Sequence, residues 1–313
     1  MEFSTKIKIA PSLNLISHEH HLWLIGSCFT ENIGSLLKQH QFKTYQNSHG
    51  IIYNPISVFN AIQEVVAQKI YTKVDLLLQN ELFVSLNHHG KFSGTDETTV
   101  LSNINNEIQK ANEHFIKSDF VFITLGTSFV YEFLDQKKMV ANCHKIPNTK
   151  FNKRILSIQE IVIAFEQIYL LLKDKKIIFT VSPVRHWRDG AVENQRSKSI
   201  LIESIHQIIE KYDNCYYFPA YEIVMDELRD YRFYEKDMLH PNQVAIEYIW
   251  QRFSETYFSE STQKVNQQIA SINLLLQHRI KHENTNEKRQ FDKTIKNAID
   301  KFKQENPTID INF

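Results

Sequence analysis

Ser27 and Cys28 stand at the end of an apolar run, Leu22-Trp23-Leu24-Ile25-Gly26. A helical pattern starts at once, with Phe29, Ile33, Leu36 and Leu37 on one face. A hydroxyl at a strand-to-helix turn sits where backbone N–H groups and the helix dipole favour negative charge. The same turn can hold the oxyanion that a serine nucleophile creates. Far downstream, Asp237-Met238-Leu239-His240-Pro241-Asn242 sets an acid and a histidine three positions apart. Together the two segments suggest a serine hydrolase or an acyl transferase.

A serine hydroxyl is a weak nucleophile at neutral pH and needs a base within about 2.6–3.2 Å. His240 suits that part, because an unperturbed imidazole titrates near pH ~6.5. Asp237 would fix its tautomer and stabilise the imidazolium. Ser27 would attack an ester carbonyl, and His240 would pass the proton to the leaving alcohol. Water, or a second alcohol, would complete the cycle. Taken alone, a Gly-Ser pair is commonly a turn with a helix cap, and Asp-x-x-His-Pro an Asx turn before a helix. It is their joint presence that points to catalysis.

Cys28 is an alternative nucleophile, since a helix N-terminus lowers a thiol pKa; its competing role is that of a small buried hydrophobe. Arg185-His186-Trp187-Arg188 fits either an arginine fork for a substrate carboxylate or phosphate, or a solvated loop with a packing tryptophan. His18, His20, His21, His88 and His89 raise the question of a metal. Adjacent strand residues point to opposite faces, and no carboxylate-rich segment completes a set, so no metal and no cofactor are expected.

Five apolar runs predict parallel strands, at residues 21–25, 42–45, 120–125, 176–181 and 215–218. Helical spacing separates them: Ile56, Phe59, Ile62 and Val66; Val100, Ile104, Ile108, Ala111 and Phe115; Ile161, Phe165, Ile168 and Leu172 behind a Ser157/Glu160 capping box. A further helix is predicted over about residues 199–211. The last follows His240-Pro241, with Pro241 as its first position. Strand alternating with helix implies an open parallel α/β sheet. Hairpins are predicted within residues 76–93 and around Asp135-Gln136-Lys137-Lys138. In such a sheet, sites form beyond the carboxyl ends of the strands, where Ser27, Gly50, Ser128, Arg185, His186, Asp237 and His240 all fall.

Residues 1–260 are read as the catalytic domain and residues 261–313 as a helical extension. Val265, Ile269, Ile272, Leu276 and Ile280 suit one amphipathic helix, and Phe291, Ile295, Ala298 and Phe302 another. Their stripes would dock on the main domain, or else form a homodimer contact.

Charge is balanced, with 36 basic and 36 acidic residues, so no global field argues for nucleic acid or an anionic membrane. Hydrophobic residues make up 42% of the 313, enough for a real core. Three cysteines, Cys28, Cys143 and Cys215, show no CxxC spacing and fit a reduced, cytoplasmic setting. Residues 1–16 lack the apolar stretch of a signal peptide, and no run reaches the ~18 apolar residues of a membrane span.

Gly26-Ser27-Cys28-Phe29, followed by Thr30, resembles the signature of the GSCFA family, which reads Gly-Ser-Cys-Phe-Ala. His49-Gly50-Ile51-Ile52-Tyr53-Asn54-Pro55, Thr180-Val181-Ser182-Pro183 and Asp237-Met238-Leu239-His240-Pro241 resemble its other recurring segments, across about residues 20–255. That family is similar to SGNH/GDSL-type hydrolases. The resemblance implies a three-layer α/β/α, flavodoxin-like fold with a five-stranded parallel sheet. It also implies Ser27 as nucleophile, His240 as base and Asp237 as orienting acid. Gly50 would donate an oxyanion amide, or be a plain turn glycine. The family-level Gly-x-Asn-Asp block falls on Gly126-Thr127-Ser128-Phe129, so Ser128 replaces an asparagine, and Asn142 or Asn54 would supply the amide instead.

The expected reaction is hydrolysis of an O-acyl ester, on a carbohydrate or small metabolite. The rivals are an acyltransferase using the same triad, and a catalytically weak binding module on the same fold.

Overall fold

The computed structural model describes residues 5–278 and 285–309. Strands β1 (His21–Gly26) and β2 (Lys43–Gln46) are followed by a hairpin of β3 (Leu77–Gln79) and β4 (Leu82–Val84), and then by β5 (Phe120–Leu125). Next, β6 (Phe129–Phe133), β7 (Lys138–Val140) and β8 (Phe151–Ile155) build a small antiparallel sheet, before β9 (Lys176–Val181) and β10 (Cys215–Tyr217). The main sheet runs β10-β9-β5-β1-β2 and is parallel throughout. Renumbered within that sheet, the order is 2-1-3-4-5, the flavodoxin-like doubly wound arrangement. Both expected hairpins form. Asn80 and Glu81, at φ +48° and +63°, make the two-residue turn of the first.

The strands read as near-continuous apolar runs because the sheet is buried on both faces. The pleat sends Trp23, Ile25, Val121, Ile123, Ile177 and Phe179 into one core. It sends Leu22, Leu24, Phe120, Phe122 and Ile178 into the other. Helices α2 (Pro55–Val66), α4 (Ile158–Leu172) and α5 (Gly190–Lys211), with the end of α3 (Glu97–Lys117), cover the Trp23 side. Helices α1 (Cys28–Gln39) and α7 (Gln243–Tyr257) cover the Leu24 side, joined by the short α6 (Ala220–Glu222) and the π-helical turn after it.

Ser157 and Glu160 form their capping box: Ser157 Oγ accepts the Glu160 N–H at 3.2 Å, and the Glu160 carboxylate accepts the Ser157 N–H at 2.9 Å. Pro241, however, precedes the last helix of the main fold instead of starting it. Asn242 is the N-cap and accepts the Ala245 N–H at 3.2 Å, so α7 begins at Gln243. Strand β8 was not foreseen, because Phe151-Asn152-Lys153-Arg154-Ile155 carries no apolar run. Nor was the polar first half of α5, residues 190–198.

Helices α8 (Glu260–Gln277) and α9 (Asn286–Glu305) pair through Ile269, Ile272 and Phe302. Asn273 of α8 donates to Gln39 O at 2.8 Å, which ties the pair to the end of α1. Ile280 lies outside the described residues. No described helix is long and apolar enough to cross a membrane.

A buried polar knot anchors the loop after β2. Glu64 of α2 accepts from His49 Nε2 at 2.9 Å, Tyr71 Oη at 2.7 Å, Lys69 Nζ at 2.8 Å and Asn87 Nδ2 at 3.1 Å. Burial alone would raise its carboxyl, but the His49, Lys69 and Tyr71 bonds outweigh it and hold Glu64 at about 2. A depressed carboxyl stabilises the fold above its unfolded pKa of about 4.3, and that contribution is lost as pH falls through the folded value. Glu64→Gln is expected to cost about 1–3 kcal/mol in urea unfolding at neutral pH. The gap to the native chain should narrow as the pH is lowered from about 5 toward 2; a pH-independent gap would contradict this account.

Candidate active site

The strand order reverses between β1 and β5, and the crevice of a doubly wound sheet opens at that point. Gly26 ends β1 at φ +140°, where an added Cβ would lie 2.1 Å from Thr124 O of β5, so only glycine fits. Ser27 follows as the N-cap of α1, extended at φ −72° and ψ 176°. It is 1% exposed, and its Oγ is buried without a hydrogen-bond partner. Cys28 is the first helical residue and only partly buried. Burial pushes its thiol up, against the pull of the Cys28 and Phe29 amides and of Lys198.

Asp237 and His240 form the expected pair. Asp237 Oδ2 accepts from His240 Nδ1 at 2.6 Å, and Oδ1 accepts the Leu239 and His240 amides at 2.9 and 3.0 Å. Those amide bonds, with the imidazole bond behind them, hold the carboxyl at about 2. A carboxylate only accepts, so Nδ1 carries the hydrogen, and in the neutral tautomer this leaves the lone pair on Nε2. Between them Met238 sits at φ +60°, a conformation uncommon for a non-glycine residue, which folds the acid back onto the imidazole. Among the described residues, His240 Nε2 has no hydrogen-bond partner, so Asp237 and His240 are joined but His240 and Ser27 Oγ are not.

Two cavities flank this edge. One, of about 500 Å³, is lined by Arg185, Trp187, Tyr231, Asp237, Met238 and Leu239. The other, of about 360 Å³, takes in Tyr53, Thr127, Asn142, His186, Arg188 and Asp189. The segment 185–189 is shared by both: Arg185 and Trp187 face the first cavity, and His186, Arg188 and Asp189 the second. The His186 ring lies 5.6 Å from that of Tyr53. Asn142 accepts the His144 N–H at 3.0 Å through Oδ1, which leaves its Nδ2 for the second cavity.

The other sequence candidates are engaged in the scaffold. The Gly50 N–H donates to Asn47 O at 2.8 Å; at φ +73°, with a Cβ position 2.4 Å from that of His89, it serves the turn. Asn54 caps α2, accepting the Ser57 N–H at 2.9 Å and donating to Ser57 Oγ at 3.0 Å. Ser128 is fully buried and bonded to Ser197 of α5 through both its N–H, at 2.8 Å, and its hydroxyl, at 3.1 Å. None of the three presents a free donor to the crevice. Among the described residues, no group of three or more His, Cys, Asp or Glu is disposed to hold a metal ion.

Lys198 is a residue that the sequence reading passed over. It is fully buried, and its Nζ donates to Gly126 O and Ser182 O, both at 2.7 Å, bridging the ends of β5 and β9 at the floor of the crevice. A signal was present: stepping back from Leu201, Ile205 and Ile208 by helical spacing reaches Lys198 and Asn194 on the same buried face.

Burial pulls the Lys198 amine down to about 7. The unfolded chain therefore holds this proton between about pH 7 and its ordinary pKa of about 10.4, and the native chain does not, so stability rises with pH across that window. The difference in urea stability between the native chain and Lys198→Met is expected to grow in favour of the native chain from about pH 6 to 9.5. A flat difference would mean that the amine stays charged when buried.

A family model described as GSCFA family matches residues 21–253. No curated protein matches the chain.

Proposed function

The chain belongs to the GSCFA family, and from that premise we propose that its crevice is an acyl-transfer centre of the SGNH type that hydrolyses O-acyl esters of a carbohydrate or small metabolite. The observation that carries this reading is the Asp237–His240 pair, ordered with Nε2 free at the carboxyl edge of a doubly wound sheet. Ser27 Oγ attacks the ester carbonyl while His240 Nε2 takes its proton. The charge of Asp237 stabilises the imidazolium. The Cys28 and Phe29 amides of the first helical turn and the Asn142 amide hold the oxyanion. His240 then protonates the leaving alcohol, and water or a second alcohol releases the acyl group. Because Ser27 is buried, attack requires its side chain to turn into the crevice and His240, half-exposed on its loop, to close on it.

A second reading takes Cys28 as nucleophile with the same acid and base. It is favoured by the partial exposure of Cys28 beside a fully buried Ser27, and by the two amides that face its sulfur.

Fluorophosphonate labelling with peptide mapping, and hydrolysis of 4-nitrophenyl acetate, separate these readings. Ser27→Ala is expected to lower kcat by roughly 10⁴–10⁶ and Asp237→Asn by less, if the acid only orients the base. A loss under tenfold in Ser27→Ala would remove Ser27, and a collapse confined to Cys28→Ala would transfer the role. Folded protein that neither labels nor turns over the ester would favour a binding module.

A further inference from the structure

Arg154, Arg196, Arg232 and Arg252 each have a carboxylate partner. Arg185, like Arg188, Arg229 and Arg289, has none among the described residues, and of these four it is the one whose Nε is buried without a hydrogen-bond partner. Its guanidinium instead stacks on Trp187, 4.9 Å from the ring centroid. A partly desolvated cation without a counter-charge is unfavourable, and an oxyanion relieves it. A guanidinium can offer two parallel hydrogen bonds to a carboxylate or phosphate. Asp237 lines the same cavity but does not meet this need, because both its oxygens are committed to His240 and the Leu239 amide.

The remaining wall is apolar and unusually bare: Trp187 is 47% exposed, Tyr231 68% and Met238 48%. Such residues gathered around one concavity mark a ligand surface. The cavity reaches the carboxylate that orients His240, so whatever fills it lies beside the base.

We propose that this cavity receives the anionic end of the substrate, a carboxylate or phosphate oxyanion on an apolar body, with Arg185 as the specificity-determining residue. The proposal rests on the acyl-transfer reading above. Arg185 holds the oxyanion, Trp187, Tyr231, Met238 and Leu239 pack the body, and the ester carbonyl is thereby presented toward His240.

Isothermal titration tests this without turnover. The probes are 3-phenylpropionate, phenyl phosphate and the neutral 3-phenylpropanamide. At least one anion is expected to bind the native chain ten-fold or more tightly than the amide, and the preferred anion tells carboxylate from phosphate. Arg185→Ala, shown folded by its thermal transition, should lose that preference, as should Arg185→Gln. Arg185→Lys, which keeps the charge but not the fork, should fall between. Equal binding of amide and anions, unchanged anion binding in Arg185→Ala, or no binding to the native chain would overturn the proposal. Anion selectivity without Ser27- or Cys28-dependent turnover would uphold the anion site and count against the chemistry of the preceding subsection alone.

Discussion

At the end of β1 the backbone passes so close to Thr124 of β5 that no side chain fits at Gly26. Three hydrogen bonds lock the passage. The Gly26 N–H donates to Asn47 Oδ1 at 3.0 Å, its carbonyl accepts the Ile52 N–H at 3.0 Å, and the Ser27 N–H donates to Thr124 O at 3.2 Å. The start of α1 is therefore pinned between the first, second and third strands of the sheet. Ser27, Cys28 and the first helical amides stand at the reversal of strand order because that approach leaves them no other place. The loops carrying Asn142, Arg185 and His240 are then arranged around a fixed point.

Two histidine–carboxylate pairs in this protein differ in how much of each pair is open to solvent. His49 bridges Ser48 Oγ at 3.0 Å and Glu64 at 2.9 Å, a serine–histidine–acid chain in outline. Yet Ser48 and His49 are wholly buried, and Glu64 also satisfies Lys69, Tyr71 and Asn87. The bonds to Glu64 hold the surrounding loops to α2. Asp237 and His240 have the same pairing, but both are half-exposed and the outer imidazole nitrogen is left free beside a cavity. Geometry alone would not distinguish the two; access does. The buried Lys198 belongs with the first pair in its packing, and with the second in its position beneath the crevice.

What local chemistry governs was legible along the chain. The central strands betray themselves as short, near-continuous apolar runs, because both faces of a parallel sheet are covered. The Ser157 box and the Asp237-x-x-His240 turn close through contacts three residues apart, so their spacing carries their geometry. Polar β8 and the first half of α5 gave no such signal; β8 is held by antiparallel pairing with β6 and α5 by a hydroxyl and amine face turned inward. Side-chain partnership across the fold was equally hidden. Ser128 looks like an oxyanion donor in sequence, but Ser197, 69 positions away, draws it into the scaffold, while Gly50 and Asn54 are committed by their near neighbours Asn47 and Ser57. Sequence alone determined the main sheet, the apolar parts of its helices and the Asp237–His240 turn, since each is set by periodicity or by neighbours within a few residues. Only the tertiary structure decided which hydroxyls are buried, that Lys198 lies beneath the crevice and that Arg185 faces a cavity without a counter-charge, because burial and charge pairing are properties of segments brought together from across the chain.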